Sequence, residues 1–378
     1  MEVYFDNSAT TRMYTEAIEE VNYIMKNIYG NPSSAYSLGI RAEKMLNKYR
    51  EDIAKTINCS IDEIVFTSGG SESNNFLVKG FARIKCNMIT TEVEHPSVLN
   101  TFKCLEEDGI KVTYLKVNTK GRISLEELSD EIDKDTQLIS VMLVNNEIGT
   151  IEDIESIGIL IKEKSKRAKF HVDAVQGYGK LKIDVKKSFI DLMSVSSHKI
   201  HGPRGVGFAY VRRGLEPKPL IYGGGQERGL RSGTENLANI AGFSKASEIV
   251  HANLKANFQK VMDIKKYFIS KLSKLEGARI NNEGDTYSPF ILSVTFSGIR
   301  GEVLLHMLEE KGIYVSMGSA CGAKRNKESY VLKAIGFNSK EISSTIRFSF
   351  SENNNREEID YAIDALFDGL KFLRRINK

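Results

Sequence analysis

Phe170-His-Val-Asp173-Ala-Val-Gln176 and, about one crossover unit later, Ser194-Val-Ser-Ser-His-Lys199 decide how this chain of 378 residues is read. Asp173 follows the apolar run 170–172, so it belongs at the C-terminal end of a strand. Lys199 ends a run of small hydroxyl residues after a second apolar stretch, 192–195. Open parallel sheets bind ligands at those strand ends. A lysine there can form a Schiff base with an aldehyde cofactor, and hydroxyls just before it can take a phosphate. Pyridoxal phosphate also needs a carboxylate against its pyridinium nitrogen to remain an electron sink. Taken singly, Lys199 fits an exposed surface lysine, and Asp173 fits a helix N-cap. A lysine and an acid on neighbouring strand ends favour the cofactor.

Outward from these two segments, short apolar runs alternate with helical patterns. Residues 64–66, 88–89, 112–115, 138–144 and 207–211 read as strands, and 43–57 carries apolar residues at helical spacing. Strands alternating with helices imply an α/β fold with a mainly parallel, covered sheet. Beyond about residue 250 the texture changes. The spacing predicts one long helix over 236–275, with no proline to break it. Strand-like 291–296, a helix over 301–311 and strand-like 345–350 then suggest a smaller α+β unit.

The chain is 41% hydrophobic and 27% charged, with a formal charge of +4 spread along its length. No basic tail or stripe argues for nucleic acid or for a membrane surface. No apolar run is long enough to span a bilayer, and Met1-Glu-Val-Tyr-Phe-Asp does not read as a signal peptide. Cys59, Cys86, Cys104 and Cys321 are scattered, without a CxxC pair or zinc spacing. These features favour free thiols in a reducing cytoplasm.

Other stretches carry chemistry. Ser68-Gly-Gly-Ser71 turns into a helix, whose first N–H groups and dipole favour an anion; Ser71 and Asn74 equally fit helix capping. His95, in Thr91-Glu-Val-Glu-His95-Pro, can stack on a ring and move protons near neutral pH, or be an ordinary satisfied histidine. Gly318-Ser-Ala-Cys321 leaves a thiol accessible beside the basic run from Lys324, which favours thiolate; a cysteine taken at random is inert. Arg347 alternates with apolar neighbours, pointing opposite to them, as a carboxylate clamp or a structural ion pair would. Gly202-Pro-Arg-Gly-Val-Gly207 and Gly223-Gly-Gly-Gln-Glu-Arg-Gly229 lack the strand–helix setting and acidic residue of a dinucleotide site. His198 and His201 have no third ligand in view for a metal.

Tyr4-Phe-Asp-Asn-Ser-Ala-Thr-Thr11, Gly30-Asn-Pro-Ser-Ser34, Phe66-Thr-Ser-Gly-Gly-Ser-Glu-Ser-Asn-Asn75, Asn145-Asn-Glu-Ile-Gly149, Arg231-Ser-Gly-Thr-Glu-Asn236, Ser344-Thr-Ile-Arg347 and the segments at 171–176, 196–199 and 318–321 together resemble the NifS/IscS type of cysteine desulfurase. The likeness runs from Tyr4 nearly to the C-terminus. It implies the pyridoxal-phosphate fold type I, aspartate aminotransferase-like architecture. A large cofactor-binding domain would span 15–250, and a small α+β domain would combine 1–14 with 251–378. The resemblance implies Lys199 as the Schiff-base lysine, Asp173 on the pyridinium nitrogen and Gln176 near the phenolic oxygen. His95 would stack on the ring and shuttle protons. Gly70, Ser71, Ser196 and His198 would hold the phosphate, with Thr234 reaching the cofactor of the partner subunit in a homodimer. Asn146 and Arg347 would orient the cofactor or the substrate carboxylate. Cys321 would accept sulfur from L-cysteine as a persulfide and pass it to an acceptor such as an iron–sulfur scaffold or a tRNA-thiolation enzyme.

This chain departs from the family's usual pattern at several places. Ser71 replaces a threonine, Glu152-Asp153 a common Gln-Pro, and His201 a frequent tyrosine; the loop 322–328 is unusually basic. An aminotransferase, a selenocysteine lyase or a kynureninase-like enzyme would share the fold, and a non-catalytic sulfur relay would be a rival of another class. Cys321 in its small-residue turn argues against the aminotransferase and the kynureninase. Lys199, Asp173, His95 and Cys321 together argue against the relay.

Overall fold

Seven of the strands expected from the apolar runs form one sheet in the computed structural model, which describes residues 1–318 and 328–376. The strands among the described residues are β1 Val3–Tyr4, β2 Ile64–Thr67, β3 Asn87–Thr91, β4 Lys111–Leu115, β5 Thr136–Met142, β6 Lys169–Asp173, β7 Leu192–Ser196, β8 Gly207–Val211, β9 Ala278–Ile280, β10 Ile291–Phe296, β11 Ile313–Tyr314 and β12 Thr345–Ser349. The helices are α1 Thr15–Asn27, α2 Ser37–Thr56, α3 Gly70–Phe81, α4 Pro96–Glu107, α5 Leu125–Glu131, α6 Ile154–Lys164, α7 Leu237–Ala252, α8 Leu254–Leu272, α9 Gly301–Glu310, α10 Tyr330–Ala334, α11 Ser339–Ser343 and α12 Arg356–Ile376.

The large sheet runs β2-β8-β7-β6-β5-β3-β4, with β8 antiparallel to both neighbours and the other pairings parallel. Its strands read as unbroken apolar runs because both faces are covered. Successive side chains point to opposite faces. Thus Val65, Met88, Leu138 and Leu192 pack with Phe76 of α3 and Phe102 of α4. Their neighbours Phe66, Ile89, Ile139 and Met193 pack in the core of α1, α2, α6 and α7.

A further core joins the N-terminal Val3 and Phe5 to β10, β12, α8, α9 and α12. Phe5, Phe268 and Phe348 stack there edge to face or tilted, with ring centroids 5.0–6.5 Å apart. β10 pairs antiparallel with β9 and β12, placing Arg347 opposite Ser293.

The single helix expected over 236–275 is instead two, α7 and α8, broken at Asn253. Asn253 leaves helical geometry at φ −111° and ψ 12°, and its side-chain amide donates to Ile249 O. The break has a packing cause: α7 buries its apolar residues in the sheet core, whereas α8 buries Val261, Phe268 and Leu272 in the other. Periodicity alone does not show that two cores divide one apolar pattern.

Candidate active site

Asp173 is the last residue of β6 and is buried. Its Oδ1 accepts from Val175 N at 3.0 Å and its Oδ2 from Asn74 Nδ2 at 2.8 Å. Asn74 lies one turn into α3, and the same Nδ2 donates to Ser97 Oγ at 2.9 Å. Ser97 in turn bonds His95 Nδ1, through its hydroxyl at 2.8 Å and its backbone N–H at 3.1 Å. A backbone N–H only donates, so Nδ1 is an acceptor and the neutral ring carries its proton on Nε2. Burial lowers the His95 pKa, Asp173 opposes that shift and Lys199 adds to it. The ring therefore stays neutral near pH 7 and lies within the fields of both Asp173 and Lys199.

Beyond the end of β7, Ser197–Lys199 form a single 3₁₀ turn. It directs Lys199 Nζ to the carbonyls of Ser8 and Ala9, at 2.5 and 2.8 Å. Gln176 Nε2 donates to the same Ser8 carbonyl at 2.9 Å. The N-terminal segment thus crosses the mouth of the sheet, held also by Thr11 N to His198 O and Tyr14 N to His201 O.

Beside this cluster opens a cleft of about 320 Å³ lined by Gly69, Gly70, Ser71, Ser196, His198 and Arg204, with Thr10 at its edge. Gly69 takes φ +149°, which disfavours any other residue, and a Cβ on Gly70 would lie 2.8 Å from Val175 Cγ2. The backbone N–H groups opening α3 therefore come close to a ligand without side chains in between. His198 bonds Thr10 Oγ1 through Nδ1, and burial with the nearby Lys199 and Arg204 charges lowers its pKa to about 4. The positive charge in the cleft is then that of Arg204, which makes no salt bridge among the described residues.

Arg347 and Asn146, both expected to orient the cofactor or the substrate carboxylate, lie in contact with each other. Arg347 Nη1 donates to Asn146 O, and its Nη2 to Asp6 Oδ1, both at 2.7 Å. Arg347 Nε and Asn146 Oδ1 are buried without a partner among the described residues. Next in sequence, Glu147 accepts from Ser329 Oγ, and a Cβ on Gly318 would lie 2.8 Å from its Oε2. Burial raises the Glu147 pKa, against the Ser329 hydrogen bond and the Arg347 charge. Cys321 itself lies outside the described residues. Thr234 is exposed and does not line the cleft of its own chain. Among the other cysteines, Cys86 is buried, and burial pushes the Cys59 thiol up to about 12.

Four neighbours of the site were not singled out from the sequence: Asn74 as a link, Thr10, Arg204 and Lys180. Asn74 is four residues after Gly70 and so lies above it on the helix, a spacing that would have marked it. Arg204 sits in the glycine cluster just after Lys199 that was weighed only as a dinucleotide motif.

The residues fit pyridoxal phosphate. An anion cradle of glycines is closed by a cation that makes no salt bridge among the described residues, and a lysine, a buried carboxylate and a neutral histidine converge beside it. Fold and site together define a pyridoxal-phosphate enzyme of fold type I. The aminotransferase class-V family matches residues 3–362. The chain is 44% identical to a NifS/IcsS protein homolog of Lactobacillus delbrueckii subsp. bulgaricus, over 99% of each. It is 42% identical to the cysteine desulfurase IscS of Clostridium botulinum, over 97% of this chain and 93% of that one. A solved NifS-like protein superposes with a TM-score of 0.93 at 41% identity, over 99% of this chain and all of that one. The chain belongs to the class-V aminotransferase family, among the NifS/IscS cysteine desulfurase homologues.

Proposed function

We propose that this protein is a cysteine desulfurase: it converts L-cysteine to L-alanine and places the sulfur on Cys321 as a persulfide. The observation that carries the reading is the convergence of Asp173, His95 and Lys199 beside the glycine cradle, with Arg347 and Asn146 nearby. Bound pyridoxal phosphate supplies the aldehyde for Schiff-base chemistry and an electron sink for charge developing on the substrate α-carbon.

The chain's own residues do the rest. Gly70, Ser71, Ser196, His198 and Arg204 hold the phosphate, and Thr234 serves the partner subunit's site. Asp173, fixed by Asn74 and the Val175 N–H, keeps the ring nitrogen protonated. Arg347 and Asn146 hold the substrate carboxylate, where a guanidinium gives bidentate contact. Lys199 removes the α-proton, and His95, neutral with its proton on Nε2, moves protons near the substrate thiol. The Cys321 thiolate attacks the substrate sulfur and forms the S–S bond of the persulfide; the carbon–sulfur bond breaks, its electron pair stays on carbon, and a proton delivered to the β-carbon and one returned to the α-carbon complete alanine. Residues 15–250 form the cofactor-binding unit and 1–14 with 251–378 the smaller one.

The assembly is a homodimer in the cytoplasm. In support, Met25, Tyr29, Tyr36 and Leu38 near the N-terminus and Leu220, Ile221 and Tyr222 before Thr234 are exposed apolar residues. No described helix is long and apolar enough to cross a membrane. The persulfide passes to an acceptor such as an iron–sulfur scaffold or a tRNA-thiolation enzyme.

The test uses cysteine labelled at sulfur with the cofactor-loaded protein. Alanine and persulfide should form one to one, with label on residue 321. Lys199→Ala should abolish the visible cofactor band, whereas Cys321→Ser should keep the band and lose sulfide release. Label that never reaches residue 321 while alanine accumulates would end the reading.

A further inference from the structure

Lys180 is a buried amine that the chemistry above leaves unused. It follows Gly179, whose φ of +70° and lack of a Cβ turn the chain inward; a Cβ there would lie 2.8 Å from Val250 Cγ2. Lys180 is only 8% exposed, and lysine is seldom so buried without an acidic partner. Among the described residues its ammonium donates to Gln176 Oε1 at 3.2 Å and lies 5.5 Å over the Phe290 ring. The charged groups facing it are Lys199 and Arg347, of like sign, and Glu352. Lys180, Lys199 and Glu352 also line one small cavity, together with Val250 and Phe290. Burial and then Lys199 lower the Lys180 pKa to about 7. Burying such a group costs stability, so its retention points to a task.

That task is visible at Gln176. The two ends of a carboxamide have nearly the same shape, so only its partners decide which way it faces. Here Oε1 takes the Lys180 ammonium and Nε2 gives one hydrogen to Ser8 O. While Lys180 is protonated, the reversed amide would set its NH₂ against the ammonium and its oxygen against the Ser8 carbonyl. Nε2 keeps a second hydrogen, on the side shared with Lys199, which bonds the same carbonyl.

We propose that Lys180 is a positioning residue: it locks the Gln176 carboxamide so that its nitrogen, not its oxygen, meets the phenolic oxygen of the cofactor ring. This rests on the cofactor reading above and adds a residue to it. Without the lock, only the Ser8 carbonyl orients Gln176, and the repelling oxygen is offered part of the time.

The test measures pyridoxal-phosphate dissociation constants, and the ratio of visible to near-ultraviolet bands, for wild type, Lys180→Met, Lys180→Gln, Gln176→Ala and the Lys180→Met/Gln176→Ala double variant. Lys180→Met should weaken cofactor binding about fivefold, the scale of one hydrogen bond, and change the band ratio. Lys180→Gln keeps an N–H donor and should recover most of both. The double variant should bind no more weakly than Gln176→Ala alone, since Lys180 acts through Gln176. An unchanged Lys180→Met, or losses that add in the double variant, overturn the proposal. So does a thermal midpoint that collapses in both Lys180 variants, because that marks a structural role. A wild type without a visible band would instead sink the cofactor reading itself, so the two failures are distinguishable.

Discussion

The site has two walls, and they are built differently. One is the C-terminal edge of the large sheet, where Asp173 closes β6, Ser196 closes β7, and Asn74 and His95 come from the helices following β2 and β3. Hydrogen-bonded ladders fix it, and its side chains inherit their directions from the strands. The other wall is gathered from the N-terminal segment, Asn146, Arg347 and Glu352. Its central pair, Asp6 and Arg347, lies 341 positions apart in sequence and belongs to the second core's strand and the chain's start. In the proposed function, the first wall holds the groups that would move protons and electrons. The second holds charge against charge. Damage to the first should therefore appear in kcat, and damage to the second in KM.

The sharpest break in that contrast is Asp173→Asn. The substitution keeps the shape and the Val175 contact but removes the charge proposed to keep the ring nitrogen protonated. We expect kcat to fall about 10³-fold, or about 4 kcal/mol of barrier, with KM for cysteine little changed. A variant that keeps a tenth of wild-type kcat would deny the sheet edge its chemical role.

Arg347→Lys attacks the other wall. Lysine keeps the charge but loses the planar fork that meets a carboxylate at two points. KM should rise about 30-fold, or roughly 2 kcal/mol, with kcat less affected. Steady-state kinetics with cysteine decide it: a loss confined to kcat would erase the distinction between the walls.

The same contrast governs what was legible from sequence. Asp173 and Ser196 follow apolar runs directly and Lys199 comes three residues after Ser196, so local pattern alone places them at or just beyond strand ends. The glycine turn before α3 is equally local. Joining Arg347 to Asn146 needed the family resemblance, because no local pattern relates positions 201 apart. Asn74 was read only as capping chemistry, since its links to Asp173 and Ser97 arise when α3 packs across the sheet. Lys180 was passed over for a similar reason: its ammonium lies over the Phe290 ring, which comes from the other core and more than 100 positions later. The break at Asn253 escaped because periodicity does not reveal which core an apolar stripe will meet.

Titration separates the walls without touching the chemistry. His171 in β6 is wholly buried between Ser140 Oγ on β5, at 2.8 Å, and Ser194 Oγ on β7, at 3.0 Å. Burial lowers its pKa from 6.5 to about 3. Below about pH 6.5 the unfolded chain takes a proton that the folded chain refuses, so stability falls with pH by about 1.4 kcal/mol per unit. On the other wall, Glu352 meets His201 Nε2 at 3.4 Å and the Tyr14 hydroxyl. Burial pushes its pKa up, but the hydrogen bonds of His201 and Tyr14 and the His201 charge outweigh that and hold it at about 2, below its ordinary 4.5. Its stabilisation is complete above pH 4.5 and is lost from there down to about 2. Urea unfolding between roughly pH 7 and 5 should therefore report the sheet wall, with a slope that His171→Gln lowers by up to one proton. Glu352→Gln should flatten the curve below about pH 4.5, where the carboxyl of Glu352 takes its proton. A curve below that pH which Glu352→Gln leaves unchanged would deny Glu352 its part in holding the second wall.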